Sequence, residues 1–340
     1  MQQQAPRALW LALALLTTSA SSAEPAAAEP AAAEPAAAEP VAAPSSTEPA
    51  PATATGTALP QSFDDVDYSF ASERDVVVGG LRLRLLEAGP VDGERVLLLH
   101  CFGLSSQVWR EVMPALVQAG YRVAAYDAPG HGKSDRPVQG LTVDGLGRTA
   151  VGVLDVLGWP RAHLVGSSMG GATALTVSIT NPARVNRMVL VDAAGLDLRA
   201  WFKPIWLLLD TNHAAYGADW LWATAFDLAV EKRHPLGERV KRELLSTRND
   251  PQKERAATAF ISVVNNMLVL DRTPLLPRVQ ARTLVVTGSH DRLVHPDHAA
   301  RLAKGITGAV LVTYDDLGHL PQIEDPDRLS ADVVTFLRAP

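Results

Sequence analysis

From about residue 62 onward, short apolar runs alternate with longer amphipathic ones. "DVVVGGLRLRLLEAG" reads as two strands joined at Gly79-Gly80, because paired glycines between aliphatic runs allow a tight hairpin. "RVLLLH", "YRVAAYD", "RAHLVG", "VNRMVLVDAAG", "RTLVVTGSHD" and "AVLVTYDD" are apolar with little alternation, the pattern of strands buried on both faces. Between them, "QVWREVMPALVQAG" has a helical period and closes on Gly120, a C-cap signal. "LTVDGLGRTAVGVLDVLG" and "MGGATALTVSITNP" read as helices, the second stopped before Pro182. "DPDRLSADVVTFL" reads as a terminal helix capped by Asp325 or Asp327.

Strand and helix thus take turns, which predicts an α/β fold with a mostly parallel sheet covered by helices on both faces. The alternation breaks once. Between about residues 196 and 280 only helical and aromatic stretches occur, such as "WFKPIWLLLD" and "DWLWATAFDLAV". That length exceeds an ordinary loop and predicts a helical cap over one end of the sheet. Trp201, Trp206, Trp220 and Trp222 are expected mostly in the cap core, with a minority facing a pocket for an apolar acyl or aromatic group.

The first 61 residues follow other rules. "MQQQAPRALWLALALLTTSASSAEP" has one positive charge, a short apolar run and small residues ending at Ala23. This is the layout of a secretory signal peptide over residues 1–23, and its apolar run is too short to span a bilayer. A secreted or periplasmic location follows as an expectation, without a stable membrane span after cleavage. No cysteine follows the apolar run, so a lipoprotein anchor is excluded. "EPAAAEPAAAEPAAAEP" opens a Pro/Ala-rich stretch over residues 24–61. A proline every fifth residue blocks helix, and the segment is expected to be an extended linker. Residues 62–340 then form the predicted catalytic domain.

Composition narrows the chemistry. The 340 residues are 47% hydrophobic with a formal net charge of −6, which gives no electrostatic footprint for nucleic acid. The single cysteine, Cys101, excludes an intramolecular disulfide and any cysteine-cluster metal site. No pattern specifies an oligomeric state.

The sharpest motif is "GSSMG", residues 166–170, which follows a strand and opens a helix. A G-x-S-x-G segment in that context is a nucleophile elbow. Small residues two before and two after the serine let strand and helix cross, and the turn presents Ser168 at the carboxyl end of the sheet. Ser167 lies off the motif centre. A serine hydroxyl needs a base, and His319, in "YDDLGHLPQIEDP", follows the last predicted strand. Asp291, in "LVVTGSHDRLVHP", follows the preceding one. The order Ser168, Asp291, His319 suits a triad in which His319 takes the serine proton and Asp291 fixes the imidazole tautomer. Asp192, at the end of "VLVD", is the alternative acid. "HDRLVHPDH" gathers His290, Asp291, His295, Asp297 and His298; a metal site there was weighed against Pro296, expected to interrupt any helical face, and is not predicted.

With "LLLHCFG", "YDAPGHGKSDRP", "GSSMGG", "GSHD" and "GHLPQIEDP" in this order, the chain from about residue 75 resembles the α/β-hydrolase family in its capped form. The resemblance implies an eight-stranded mostly parallel sheet, no cofactor, no metal and covalent acyl-enzyme catalysis. It implies an oxyanion hole from the backbone N–H groups of Phe102 and Met169. It makes Asp127 and His131 residues that structure their loop, and His100 a buried histidine organising the oxyanion loop. Capped relatives that displace halide or open epoxides carry Asp at the elbow, so Ser168 argues against both. The expected activity is hydrolysis of apolar carboxylic esters, with a small-molecule ester as the partner. Hydrolysis of carbon–carbon bonds in ring-cleavage products is the alternative within the family, and export speaks against it. A catalytically silent binding protein is the alternative outside catalysis. Cys101 stands where relatives carry glycine and is expected to be a wall residue, with backbone strain if that glycine served a positive φ.

Overall fold

The computed structural model describes residues 70–137, 141–198, 219–246 and 253–340, all within the unit Val66–Pro340. The expected signal peptide and linker lie outside the described residues. Among the described residues, eight strands form one sheet in the order β1-β2-β4-β3-β5-β6-β7-β8. They are β1 (Ala71–Val78), β2 (Leu81–Ala88), β3 (Arg95–Leu99), β4 (Arg122–Tyr126), β5 (Ala162–Ser167), β6 (Val185–Val191), β7 (Arg282–Gly288) and β8 (Val310–Tyr314). β1 and β2 pair antiparallel through the Gly79-Gly80 turn, β2 and β4 also run antiparallel, and every other neighbouring pair is parallel.

Each inner strand feeds both faces, because successive side chains point to opposite sides. Leu97, Leu99, Leu164, Met188, Leu190 and Val285 belong to one core cluster; Val96, Leu98, Val165, Val189, Val191, Leu284 and Val286 belong to the other. That double burial is why these strands read as unbroken apolar runs. Helices α1 (Val112–Gln118), α2 (Val143–Val156) and α3 (Met169–Thr180) follow β3, β4 and β5. Thr142 caps α2 by accepting from the Gly145 N–H at 3.1 Å, the usual role of a threonine before a helix.

Between β6 and β7 the described residues hold α4 (Asp219–Ala229), α5 (Pro235–Ser246) and α6 (Lys253–Val269), and no strand. Trp201 and Trp206 lie outside the described residues, as does the Trp220 side chain; Trp222 packs its ring 6.0 Å from that of Phe102. After β7 come α7 (Pro296–Gly305), then β8, α8 (Pro321–Glu324) and α9 (Pro326–Arg338). Pro296 starts α7 instead of interrupting it. It occupies the first turn, where its missing N–H has no partner to lose, and the His295 side chain caps the helix. Asp325, not Asp327, caps α9.

Candidate active site

The candidate residues stand in the loops beyond the carboxyl ends of the parallel strands β3 to β8. β5 ends at Ser167, Ser168 makes the turn, and α3 begins at Met169. Ser168 has φ 52° and ψ −111°, a left-handed backbone that a non-glycine residue holds only under constraint. Constraint comes from close crossing. A Cβ on Gly166 would strike the Gly170 carbonyl, and one on Gly170 would strike the carbonyl of Leu99. Both are backbone collisions that no rotamer change relieves, so the glycines are required for space. The Ser168 N–H donates to the Val191 carbonyl at 2.9 Å, and the Ser168 carbonyl accepts from Ala172 and Ala194 at 3.0 and 3.1 Å. Ser167 is fully buried and accepts from Gln322 Nε2 at 3.1 Å, which occupies it structurally.

His319 and Asp291 meet. The imidazole Nδ1 lies 2.7 Å from Asp291 Oδ2, and both side chains are buried. The other oxygen, Asp291 Oδ1, accepts from the N–H groups of Leu293 and Val294 at 2.7 and 2.9 Å. A carboxylate so satisfied is an acceptor toward His319 and fixes the ring proton on Nδ1, leaving Nε2 as the base. Asp192, the alternative acid, is engaged elsewhere: its Oδ1 accepts from the Thr287 hydroxyl at 2.8 Å and the Gly288 N–H at 3.0 Å. Asp192, Asp291 and His319 nevertheless offer atoms all within 4.8 Å of one another, the one group of three potential metal ligands among the described residues. Two of the three are already committed to each other by the 2.7 Å hydrogen bond.

The rest of the histidine-rich segment disperses. His298 Nε2 accepts from the Leu196 N–H at 3.2 Å, and burial pushes its pKa down to about 4. His290 faces Glu231 at 3.8 Å, and His295 caps α7.

The loop after β3 is tied from below. His100 Nε2 accepts from the Ala128 N–H at 2.9 Å, so its protonated Nδ1 donates to the Cys101 carbonyl at 2.8 Å. Asp127 accepts from the Ser106 N–H and hydroxyl at 2.8 and 2.7 Å and from the Lys133 N–H at 2.8 Å. His131 is buried with its pKa lowered by burial to about 3, and its ring stands edge-on to Phe102 at 5.8 Å. These groups hold loops. Met169 is buried at the first turn of α3. Cys101 carries no positive φ and so no backbone strain of that kind: the positive φ in this loop, 78°, belongs to Gly103. Burial pushes the Cys101 thiol up to about 12, which removes the thiolate a cysteine nucleophile needs.

Glu324 was not singled out in the sequence, yet it organises the His319 loop. It is buried, and its carboxylate accepts from the N–H groups of Gly318 and Leu320, on either side of His319, at 3.1 Å each. It also accepts from Glu231 and Lys232, just beyond α4, at 2.7 Å each. The His319 N–H itself donates to Ala229, the last residue of α4, at 2.7 Å. The signal available in the sequence was an acidic residue five positions after the histidine; its partners near residue 231 are not local. Glu324→Ala strands these donors, and hydrogen bonds to a charged acceptor are worth about 1.5–3 kcal/mol each. With water replacing part of what is lost, the variant is expected to lose at least about 3 kcal/mol of stability in denaturant unfolding; an unchanged midpoint would show that the clamp is solvated and weak.

Residues 94–326 match the family model described as alpha/beta hydrolase fold. The chain is 34% identical over 284 residues to the 2-hydroxy-6-oxo-6-phenylhexa-2,4-dienoate hydrolase of Comamonas testosteroni, covering 80% of this chain and 96% of that one. Among solved structures it is similar to a meta-cleavage product hydrolase from Pseudomonas fluorescens IP01, with TM-score 0.66, 25% identity, and coverage of 78% and 97%. It is also similar to a bacterial membrane phospholipase A, with TM-score 0.69, 27% identity, and coverage of 79% and 86%. The expectation of a carboxylic ester hydrolase is corrected by the first of these. The sequence relative that spans nearly its whole length is named for hydrolysis of a dienoate, and it stands at higher identity than the phospholipase. A serine elbow leaves the scissile bond open, which is why the motif set alone did not separate ester from carbon–carbon hydrolysis.

Proposed function

The chain belongs to the α/β-hydrolase fold family, and within it we propose that it hydrolyses the carbon–carbon bond of 2-hydroxy-6-oxo-dienoates, the products of aromatic ring cleavage. The observation that carries this reading is the 34% identity along 96% of the Comamonas testosteroni hydrolase, together with a serine elbow and a buried His319–Asp291 pair on the same sheet edge.

The chemistry constrains the order of events. A bond between an acyl carbon and its neighbour breaks only if the departing carbon can carry the electron pair. In a 2-hydroxy-dienoate that requires the enol to become the ketone first, by moving a proton from the 2-hydroxyl to carbon 5. The departing carbon 5 is then conjugated through the remaining double bond to the new carbonyl. His319 Nε2, with its Nδ1 proton held on Asp291, is the group placed to move protons. Ser168 attacks the 6-carbonyl as His319 takes its proton. The tetrahedral oxyanion is held by the N–H groups of Met169 and Phe102, donors typically worth about 3 kcal/mol each. As the carbon–carbon bond breaks, its electron pair passes through the conjugated chain to the 2-oxygen, which takes a proton and leaves as the 2-hydroxy-2,4-dienoate; water activated by His319 then releases the carboxylic acid from Ser168.

The experiment is a side-by-side measurement of kcat/KM on 6-phenyl and 6-alkyl 2-hydroxy-6-oxo-dienoates and on nitrophenyl esters of increasing chain length. The dienoates are expected to exceed every ester by at least about 100-fold, roughly 2.7 kcal/mol of transition-state preference. Ester turnover with no dienoate cleavage would overturn the reading. Export is proposed alongside it from residues 1–23 and places the reaction outside the cytoplasm. N-terminal sequencing of the protein from an exporting host is expected to begin at Glu24, and an intact Met1 would refute it.

A further inference from the structure

Two carboxyl groups share the space behind His319, and the site described above uses one. Asp192 follows β6 and is buried, with φ 42°, a left-handed backbone held in place by its surroundings. Its Oδ1 is satisfied by the Thr287 hydroxyl and the Gly288 N–H. Its Oδ2 is buried and has no hydrogen-bond partner among the described residues. The Asp192, Asp291 and His319 side chains lie within 4.8 Å of one another.

Two carboxylates confined together out of water do not both ionise; one keeps its proton. The hydrogen bonds decide which. Asp291 receives three donors, the N–H groups of Leu293 and Val294 and the Nδ1 proton of His319. Asp192 receives two, both on one oxygen. The charge therefore rests on Asp291 and the proton on Asp192 Oδ2, the atom otherwise without a partner. We propose that Asp192 is a protonated acid at working pH that donates its proton as a hydrogen bond to the Asp291 carboxylate, a positioning residue that acts on His319 through Asp291. The inference rests on the reading of Ser168, Asp291 and His319 as one catalytic set. Burial, and after it the Asp291 charge, raises the Asp192 carboxyl well above the usual range, in agreement.

The consequence is a weaker base. A carboxylate that accepts one more hydrogen bond stabilises the imidazolium less, so Asp291 supports His319 less strongly with Asp192 beside it than it would alone. Among the described residues His298 of α7 also interacts with Asp291; burial keeps it neutral with a pKa of about 4, and the charges of Arg301 and Asp271 act on it as well. His298 therefore adds no charge near neutral pH.

Two measurements test this, one of them independent of activity. Infrared difference spectra of wild type minus Asp192→Asn at pH 7 are expected to contain the carbonyl stretch of a protonated carboxyl group; its absence would overturn the proposal. The second is the pH dependence of Ser168 labelling by a fluorophosphonate, which reads the activation of Ser168 without the natural substrate. Asn at 192 keeps both an acceptor for Thr287 and Gly288 and a donor for Asp291, so its acid limb is expected to coincide with that of wild type. Asp192→Ala removes the donor, and its limb is expected to move to higher pH by about one unit, a tenfold change in proton affinity. If Asp192 were ionised, Asn would remove a negative charge and move the limb to lower pH, which would refute the proposal. An unmoved limb in Asp192→Ala with reduced stability would assign Asp192 a purely structural role and refute it as well. Should wild type take no label at all, the catalytic reading fails, and the infrared band still decides the protonation of Asp192.

Discussion

Ser168→Ala is expected to lower dienoate turnover by about 10⁴-fold or more, the scale of removing a covalent nucleophile, and to abolish fluorophosphonate labelling. The reason is local and complete. Ser168 alone stands at the elbow, while Ser167 is buried and held by Gln322 and the Cys101 thiol is pushed up to about 12. No neighbour can substitute. The backbone keeps φ 52° whichever small side chain it carries, so circular dichroism and the unfolding midpoint are expected to stay close to wild type. Turnover retained in a well-folded Ser168→Ala would remove the nucleophile from the account.

Asp291→Asn is the second large effect. In the native site Oδ1 accepts from two backbone N–H groups and Oδ2 accepts from His319 Nδ1. An amide cannot present its NH₂ to the two backbone donors, so its oxygen stays with Leu293 and Val294. The NH₂ is then turned toward His319 Nδ1, which must accept, and the ring proton is forced onto Nε2. That nitrogen can no longer take the proton of Ser168. The expected loss in kcat is about 10⁴-fold, the cost of the wrong tautomer in an otherwise intact triad, read by steady-state kinetics and by the labelling rate. A loss below about tenfold would mean that another group, with Asp192 the nearest candidate, orients the imidazole.

The chain made its local structure readable wherever the cause was local. Strands buried on both faces leave unbroken apolar runs, so β3 to β7 were legible, and with them the positions of Ser168 after β5 and Asp291 after β7; His319 stands beyond β8. The elbow was legible because backbone collision permits only glycine at 166 and 170. Contacts between distant segments left no pattern. Glu324 meets residues 231 and 232, and Asp192 meets residues 287, 288 and 291, across separations that no periodicity encodes. Pro296 was read as a break because proline both interrupts and begins helices, and only the capping by His295 distinguishes the two. At Cys101 the sequence leaves open whether the position needs a positive φ or only a small side chain; Gly103 carries the left-handed turn, which leaves size as the constraint. The scissile bond was least legible of all: a serine elbow with His and Asp suits acyl transfer to more than one leaving group, and the sequence between β6 and β7 carries no motif that names it.

The central claim is carbon–carbon bond hydrolysis, and product identity tests it most directly. Purified protein is incubated with 2-hydroxy-6-oxo-6-phenylhexa-2,4-dienoate, and the products are identified by mass spectrometry. Cleavage is expected to yield benzoate and 2-hydroxypenta-2,4-dienoate in equal amounts, with one water consumed per turnover and no product from Ser168→Ala. Unchanged dienoate, beside an enzyme that takes a fluorophosphonate label and hydrolyses nitrophenyl esters, would contradict it.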